Sequence, residues 1–342
     1  MLKSLFLSGP LSLAPGFNTV SGLVRSRFSL HKLFLVSLLS ILCCSALAQS
    51  QTGGRANLKA RTGNEPHSMT RSTAVDHAGT AASFYEELRK ALKKRKTRVE
   101  NICPPSDSVA RRVLEEYGAI FLAIKKVTTP PVCIFTSEEQ VANFQDKLDY
   151  VTENVAGADI ELQTAAMDAL LEARKQAHKE GLDITPRDGS EAARRSYDDS
   201  LHLWNTRFLP ALEHWLAQGK LSEEQVVRLK SMPLRSQIAH VLELEKSGIY
   251  FSKDLSKSIL YSIAAPGTSQ HIAMLALDVN EFDNSRVREI LAEHGWFQTV
   301  LSDLPHFTFL GLEEEDLPKH GLKSVEADGQ IFWIPNVVDP PR

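Results

Sequence analysis

Pro266-Gly267-Thr268-Ser269-Gln270-His271-Ile272-Ala273-Met274-Leu275-Ala276-Leu277-Asp278 is where the chain passes from helical to strand-like patterning. Pro266-Gly267 marks a turn, and Ala273 to Val279 reads as a strand. Downstream, Gly295-Trp296 and Ser302-Asp303-Leu304-Pro305-His306-Phe307-Thr308-Phe309-Leu310-Gly311 join a polar loop to a second short apolar run, Phe307 to Leu310. Gln330 to Ile334 is a third strand candidate. Two histidines and a carboxylate, each beside a strand, can supply three ligands to Zn²⁺ and leave a fourth position for water. Bound zinc lowers the pKa of that water to about 7. His271 and Asp278 are seven residues apart, so on one uninterrupted strand they would face opposite sides. His271 is therefore expected in the loop entering the strand. Met274, Ala276 and Asp278 would share the face bordering the metal, with Leu275, Leu277 and Val279 on the core face.

These residues resemble the vancomycin-resistance type zinc D-alanyl-D-alanine carboxypeptidases and their peptidoglycan endopeptidase relatives. That family carries S-x-H-x-x-G-x-A-x-D followed later by E-x-x-H. Ser269, His271, Ala276 and Asp278 match the first motif, and His306 the end of the second. Arg195-Ser196-Tyr197 looks like the family's Arg-Ser-Tyr run, after a strand and turn over Leu182 to Gly189. The match covers about residues 160 to 312. The resemblance implies His271, Asp278 and His306 as zinc ligands, Asp303 as general base and then acid, and Arg195 beside the scissile carbonyl. It also implies that Ser269 and Met274 border the substrate, a peptidoglycan stem peptide. The implied fold is α+β, a small antiparallel sheet with flanking helices of the hedgehog/DD-peptidase-like kind, over residues 156–342. Two departures stand out: Met274 replaces the motif's glycine, and Asp303, one methylene shorter, replaces its glutamate. They favour the rival expectation, a non-catalytic wall-binding or scaffold protein on a degenerate peptidase fold.

Upstream, helical signals dominate. Ser83 and Glu86 form a capping box opening a helix from Phe84 to Val99. Its basic run, Lys90 to Arg98, reads as a solvated face, with contact to an anionic envelope polymer as the alternative. Val109 to Ile124 is amphipathic, Val132 to Phe135 is a short strand-like run, and Thr136 and Ser137 start a helix through Tyr150. Residues 81–155 thus read as an α-rich N-terminal module clamped by Cys103 and Cys133. Helices follow over Asp159 to Lys179, Ser190 to Trp215 and Ser222 to Leu229. Trp204, Phe208, Leu212 and Trp215 stand at helical spacing and read as core. His202, His214, His240, His294 and His320 read as structural, with His294 at a helix end. Glu313 to Glu315 read as a solvated turn.

Residues 1–48 hold four basic residues and no acidic one. Leu33 to Leu42 is apolar, and Ala46-Leu47-Ala48 completes the pattern of a secretory signal peptide cleaved after Ala48. The alternative, an uncleaved anchor, has only Leu33 to Ala48 to span with, short of the roughly 20 residues a bilayer needs. Residues 49–80, polar and Gly-rich, read as a flexible linker. The expected location is therefore periplasmic or secreted, with no stable membrane span after cleavage.

The whole chain has 342 residues, 39 Lys+Arg against 42 Asp+Glu, and 43% apolar residues. That composition excludes a disordered chain or a small disulfide scaffold. A formal net charge of −3 argues against a nucleic-acid partner. Loss of the signal removes four positive charges and two of the four cysteines. Cys103 and Cys133 remain, and an oxidising compartment lets them pair.

Overall fold

A computed structural model describes residues 82–124, 126–301 and 303–337. The expected signal peptide, its cleavage after Ala48 and the linker to residue 80 lie outside the described residues. The fold is mixed α+β, with three small antiparallel sheets among the helices. Among the described residues no helix is long and apolar enough to cross a membrane.

Helix α1 (Phe84–Lys94) buries Phe84, Leu88 and Leu92, one residue per turn along one face. The expected Ser83–Glu86 box does not form, because the Ser83 side chain makes no cap bond. The Phe84 amide instead donates to the Asn336 carbonyl, so this helix start is tied to the far end of the chain. The helix also stops short of Val99. Arg95 turns away to donate to the Phe121 and Ala123 carbonyls and the Thr129 hydroxyl. Lys96 is left-handed, and a separate turn, α2 (Val99–Ile102), follows. Arg95 thus anchors two backbone carbonyls, while it and the rest of the run, Lys90, Lys93, Lys94, Lys96 and Arg98, remain exposed, as a solvated face requires.

Helix α3 (Ser108–Tyr117), capped by Asp107, passes into a tighter 3-10 turn, Gly118–Leu122. Residues Val132 to Phe135 do not form a strand. Cys133 and Phe135 each make one backbone bond, to the Ile102 and Gly267 carbonyls, which pins the run between two loops. Cys103 and Cys133 are both buried and placed as a disulfide, with Cα atoms 5.4 Å apart.

Helix α4 (Glu138–Gln145), capped by Ser137, ends before Tyr150. There a hairpin begins that the helical periodicity had hidden: β1 (Tyr150–Val155) pairs with β2 (Ala158–Gln163). Ala156 and Gly157 both have positive φ, as a two-residue hairpin turn of the primed type requires. Helix α5 (Thr164–Lys179) therefore starts at Thr164 rather than Asp159. The hairpin straddles the expected boundary at 155/156. One buried cluster also joins Phe84, Leu114 and Phe135 to Leu170, Leu277 and Phe309. Residues 82–155 are thus not walled off from the later elements, because their apolar faces close the same core.

Leu182 to Thr185 does not form a strand; Pro186 makes an isolated bridge to Val279, and the Asn280 amide donates to the Thr185 carbonyl. Helix α6 (Tyr197–Ala217) starts at a full Ser196–Asp199 capping box. With α7 (Glu223–Ser231), whose Ser222–Gln225 box is also present, and α8 (Leu234–Lys246), it encloses a second core. Trp204, Phe208 and Leu212 are buried in it as expected, while half-buried Trp215 donates its indole N–H to the Tyr250 carbonyl.

The last third builds the sheet that matters most. β3 (Ala276–Asp278), α9 (Ser285–Glu293, ending at His294), β4 (Trp296–Phe297) and β5 (His306–Phe309) follow one another. They make a three-stranded sheet in the order β3-β5-β4. A hairpin of β6 (Leu322–Ala327) and β7 (Gln330–Pro335) completes the described chain.

Gly267 is held at φ +76°, and a Cβ there would lie 2.0 Å from the Phe135 carbonyl oxygen. A side chain is excluded on both counts. Gly267→Ala is expected to cost well over 1 kcal/mol, the left-handed penalty plus the displaced backbone. Thermal denaturation checks it, and an unchanged melting temperature would contradict the close approach.

Candidate metal centre

The Pro266-Gly267 turn leads into a 3-10 turn, Gln270–Ala273, and then into β3. His271 thus sits in the entering loop, as its odd spacing from Asp278 demands. Across the sheet, Asp278 of β3 pairs in register with His306 of β5. Directly opposed residues of an antiparallel pair project to the same face. The register therefore brings the carboxylate and one imidazole together, and the loop folds the second imidazole over them.

The distances are short and nearly equal. Asp278 Oδ1 lies 3.4 Å from His271 Nε2 and 3.3 Å from His306 Nδ1. The two ring nitrogens are 3.1 Å apart. Zinc bonds to nitrogen and oxygen of about 2.0–2.1 Å, set at tetrahedral angles, place neighbouring donors about 3.3–3.4 Å apart. Two nitrogens and one oxygen at these separations fit three corners of that tetrahedron. The group could hold a metal ion. His271 Nδ1 faces the Ala193 carbonyl at 3.2 Å, the outer contact that metal-binding histidines usually make.

Charge and burial shape the site. Burial pushes the His271 imidazole down to about 4, so it stands neutral at pH 7 with a lone pair to offer. Burial opposes ionisation of Asp278, but the imidazoles of His271 and His306 beside it hold its carboxyl well below the usual carboxylate range. Arg195 Nη2 lies 3.8 Å from Asp278 Oδ2, and Arg195 Nη1 donates to Ser269 Oγ at 3.4 Å. Arg195 precedes the Ser196 cap, so the start of α6 sets its position; its carbonyl accepts from buried Gln145. Asp303 lies in the turn before β5, where the His306 amide donates to its carbonyl. Burial raises its carboxyl, His306 opposes this, Asp278 adds to it, and Arg195 and Arg187 oppose it.

The structure thus gathers His271, Asp278, His306, Arg195, Ser269 and Asp303. Met274 is a correction. It is not on the strand but before it, in a left-handed conformation at φ 52°, and its side chain is fully buried in the core. The alternation that aimed it at the cleft does not reach it. Two residues went unnoticed in the sequence. Arg187 donates its amide to the Asp278 carbonyl, and its guanidinium lies over the Phe282 ring, 5.6 Å from the centroid. Gln270 is buried and reaches His306 directly. An arginine just past the Leu182 to Thr185 run, and an amide next to His271, were the available signals. A cavity of about 570 Å³ lined by Arg112, Glu245 and Tyr261 contains none of these residues.

No family model matches the chain, and no curated protein matches it.

The site makes stability depend on pH. An unfolded imidazole titrates near 6.5, whereas folded His271 does so at about 4. Between these values the unfolded state binds more protons, so stability falls as pH falls. Asp278 adds loss of the same sign below the ordinary carboxylate value of 3.8. Metal-free protein should therefore need less denaturant to unfold at pH 4.5 than at pH 7. The raised carboxyl of Asp303 acts in the opposite sense, so a midpoint level across that window in Asp303→Asn protein, where this offset is gone, would contradict the buried neutral histidine.

Proposed function

We propose that this chain is an exported zinc-dependent peptidase of the D-alanyl-D-alanine carboxypeptidase type, acting on peptidoglycan stem peptides. The observation that carries the reading is the His271–Asp278–His306 group, with three mutual distances of 3.1 to 3.4 Å. The surrounding residues support it. Position 274 is left-handed, the conformation that glycine, present there in the family motif, adopts freely. Met274 takes it at an expected cost of about 1 kcal/mol. A buried cysteine pair suits an oxidising compartment.

When bound, zinc supplies a Lewis acid for the scissile carbonyl and makes water a nucleophile at neutral pH. The chain's own residues do the rest. Asp303, its carboxyl raised by burial, takes one proton from the attacking water and delivers it to the leaving amine. The C–N bond breaks as water's oxygen bonds to the carbonyl carbon. Arg195, largely buried, holds the outer oxygen of Asp278 and thereby orients the ligand carboxylate.

In this reading Arg187 meets the substrate: its side chain is 44% exposed, and its ion-pair partner among the described residues is Asp188, at 3.9 Å. A guanidinium stacked on an aromatic ring beside the centre suits a peptide's terminal carboxylate. This favours a carboxypeptidase over an endopeptidase.

Purified zinc-loaded protein should release D-alanine from peptides ending in D-Ala-D-Ala. No release with zinc demonstrably bound would overturn the assignment and favour a wall-binding protein on this fold. Arg187→Ala should raise KM about 10-fold or more with kcat less affected, the mark of lost uniform binding. Amidating the substrate's terminal carboxyl should weaken wild type similarly and leave the variant nearly unchanged. Equal turnover of amidated and free peptides by wild type would instead point to an endopeptidase.

A further inference from the structure

We propose that Gln270 is a positioning residue that locks His306 in the tautomer whose bare Nδ1 faces the metal position. The use made of that lone pair rests on the zinc reading; the tautomer itself does not.

The lock comes from which groups can donate. Gln270 is buried, 3% exposed, and its Nε2 donates to the Tyr117 carbonyl at 2.9 Å. A carbonyl only accepts, so the amide nitrogen must stand there. Flipping the amide would set two oxygens against each other. Gln270 Oε1 is therefore the atom 2.8 Å from His306 Nε2. Facing an oxygen that only accepts, Nε2 must carry the hydrogen. A neutral imidazole has one N–H, so Nδ1 is bare. That is the nitrogen 3.3 Å from Asp278 Oδ1 and 3.1 Å from His271 Nε2.

Two threonines close the arrangement. Thr308, two residues beyond His306 on the same face of β5, donates its hydroxyl to Gln270 Oε1. Thr299 Oγ1 lies 2.7 Å from Thr308 Oγ1 and accepts from Gln270 Nε2 at 3.3 Å. Both threonines are fully buried. On the other side, the Ala193 carbonyl leaves His271 Nε2 bare in the same way. Two lone pairs and a carboxylate then converge with no hydrogen between them, an arrangement that a cation relieves.

The test reads the tautomer without metal. In metal-free, ¹⁵N-histidine-labelled protein at pH 8, long-range ¹H–¹⁵N correlations should show His306 with a bare Nδ1 and a protonated Nε2. A proton on Nδ1 instead would overturn the proposal outright. Gln270→Met keeps the side chain's length but removes the acceptor. It should mix the two tautomers and raise the zinc Kd about 10- to 100-fold, the usual effect of losing an outer-sphere partner. A cobalt-loaded sample should show shifted visible absorption bands. The tautomer read on the wild-type protein preserves the test should the methionine variant fail to fold. A Gln270→Met protein with the wild-type tautomer and wild-type zinc affinity would contradict the positioning role. A tautomer that mixes as expected in a protein that binds no zinc would leave Gln270's role standing and remove the zinc reading.

Discussion

Asp278 and His306 stand opposite one another because β3 and β5 pair antiparallel with Ala276 facing Thr308. Everything at the site depends on that register. A slip of one residue would turn Asp278 or His306 to the other face of the sheet. The register is held by the apolar residues between the polar ones. Leu277 and Phe307 are paired and buried, so a slipped strand would push carboxylate or imidazole into the core. The loop carrying His271 hangs from the same strand and is tied down twice. Gln163 donates to the Ala273 carbonyl through its side chain and to the Met274 carbonyl through its backbone, and Gln145 donates to the Ile272 carbonyl.

A cluster of buried polar groups is costly unless each finds a partner. Here His271 has the Ala193 carbonyl, His306 has Gln270, Asp278 has Arg195, and Arg195 has Ser269. The partners come from the segment before α6 and the turn before β3, and Tyr117 at the end of α3 holds Gln270 in turn. The core that spans these elements is thus what gives the site its geometry. The same core takes in residues on both sides of position 156. Tyr117 of α3 accepts from Gln270, and Gln145 of α4 donates to the Ile272 carbonyl, both in the loop that carries His271.

Much of this was legible in the residues. The parity of the spacing between His271 and Asp278 placed the histidine in the entering loop, and the capping box at Ser222 marked a helix start to the residue; the Ser196 box that starts α6 went unread, and that helix was expected from Ser190. The cysteine pair and the aromatic core of α6 followed from compartment and periodicity. The β1–β2 hairpin was hidden because its turn is Ala156-Gly157, without the Asn-Gly or Asp-Gly signal, and because polar Thr152, Glu153 and Asn154 lie on an exposed strand. Met274 misled because strand alternation was extended through a residue that is left-handed, a conformation a methionine does not announce. Ser83 misled because the Glu86 amide, which the box would have used, donates to the Ser83 carbonyl instead of the Ser83 side chain. Gln270 and Arg187 act through partners far away in sequence, which no local pattern displays.

The functional reading turns on one metal ion held by His271, Asp278 and His306. The most direct measurement is elemental analysis of protein purified without a metal-affinity tag, alongside the Asp278→Asn and His306→Gln variants. Wild-type protein should carry close to one zinc per chain, and both variants should lose it while they remain folded by circular dichroism. Folded wild-type protein with no bound metal, and none taken up from added zinc, would contradict it.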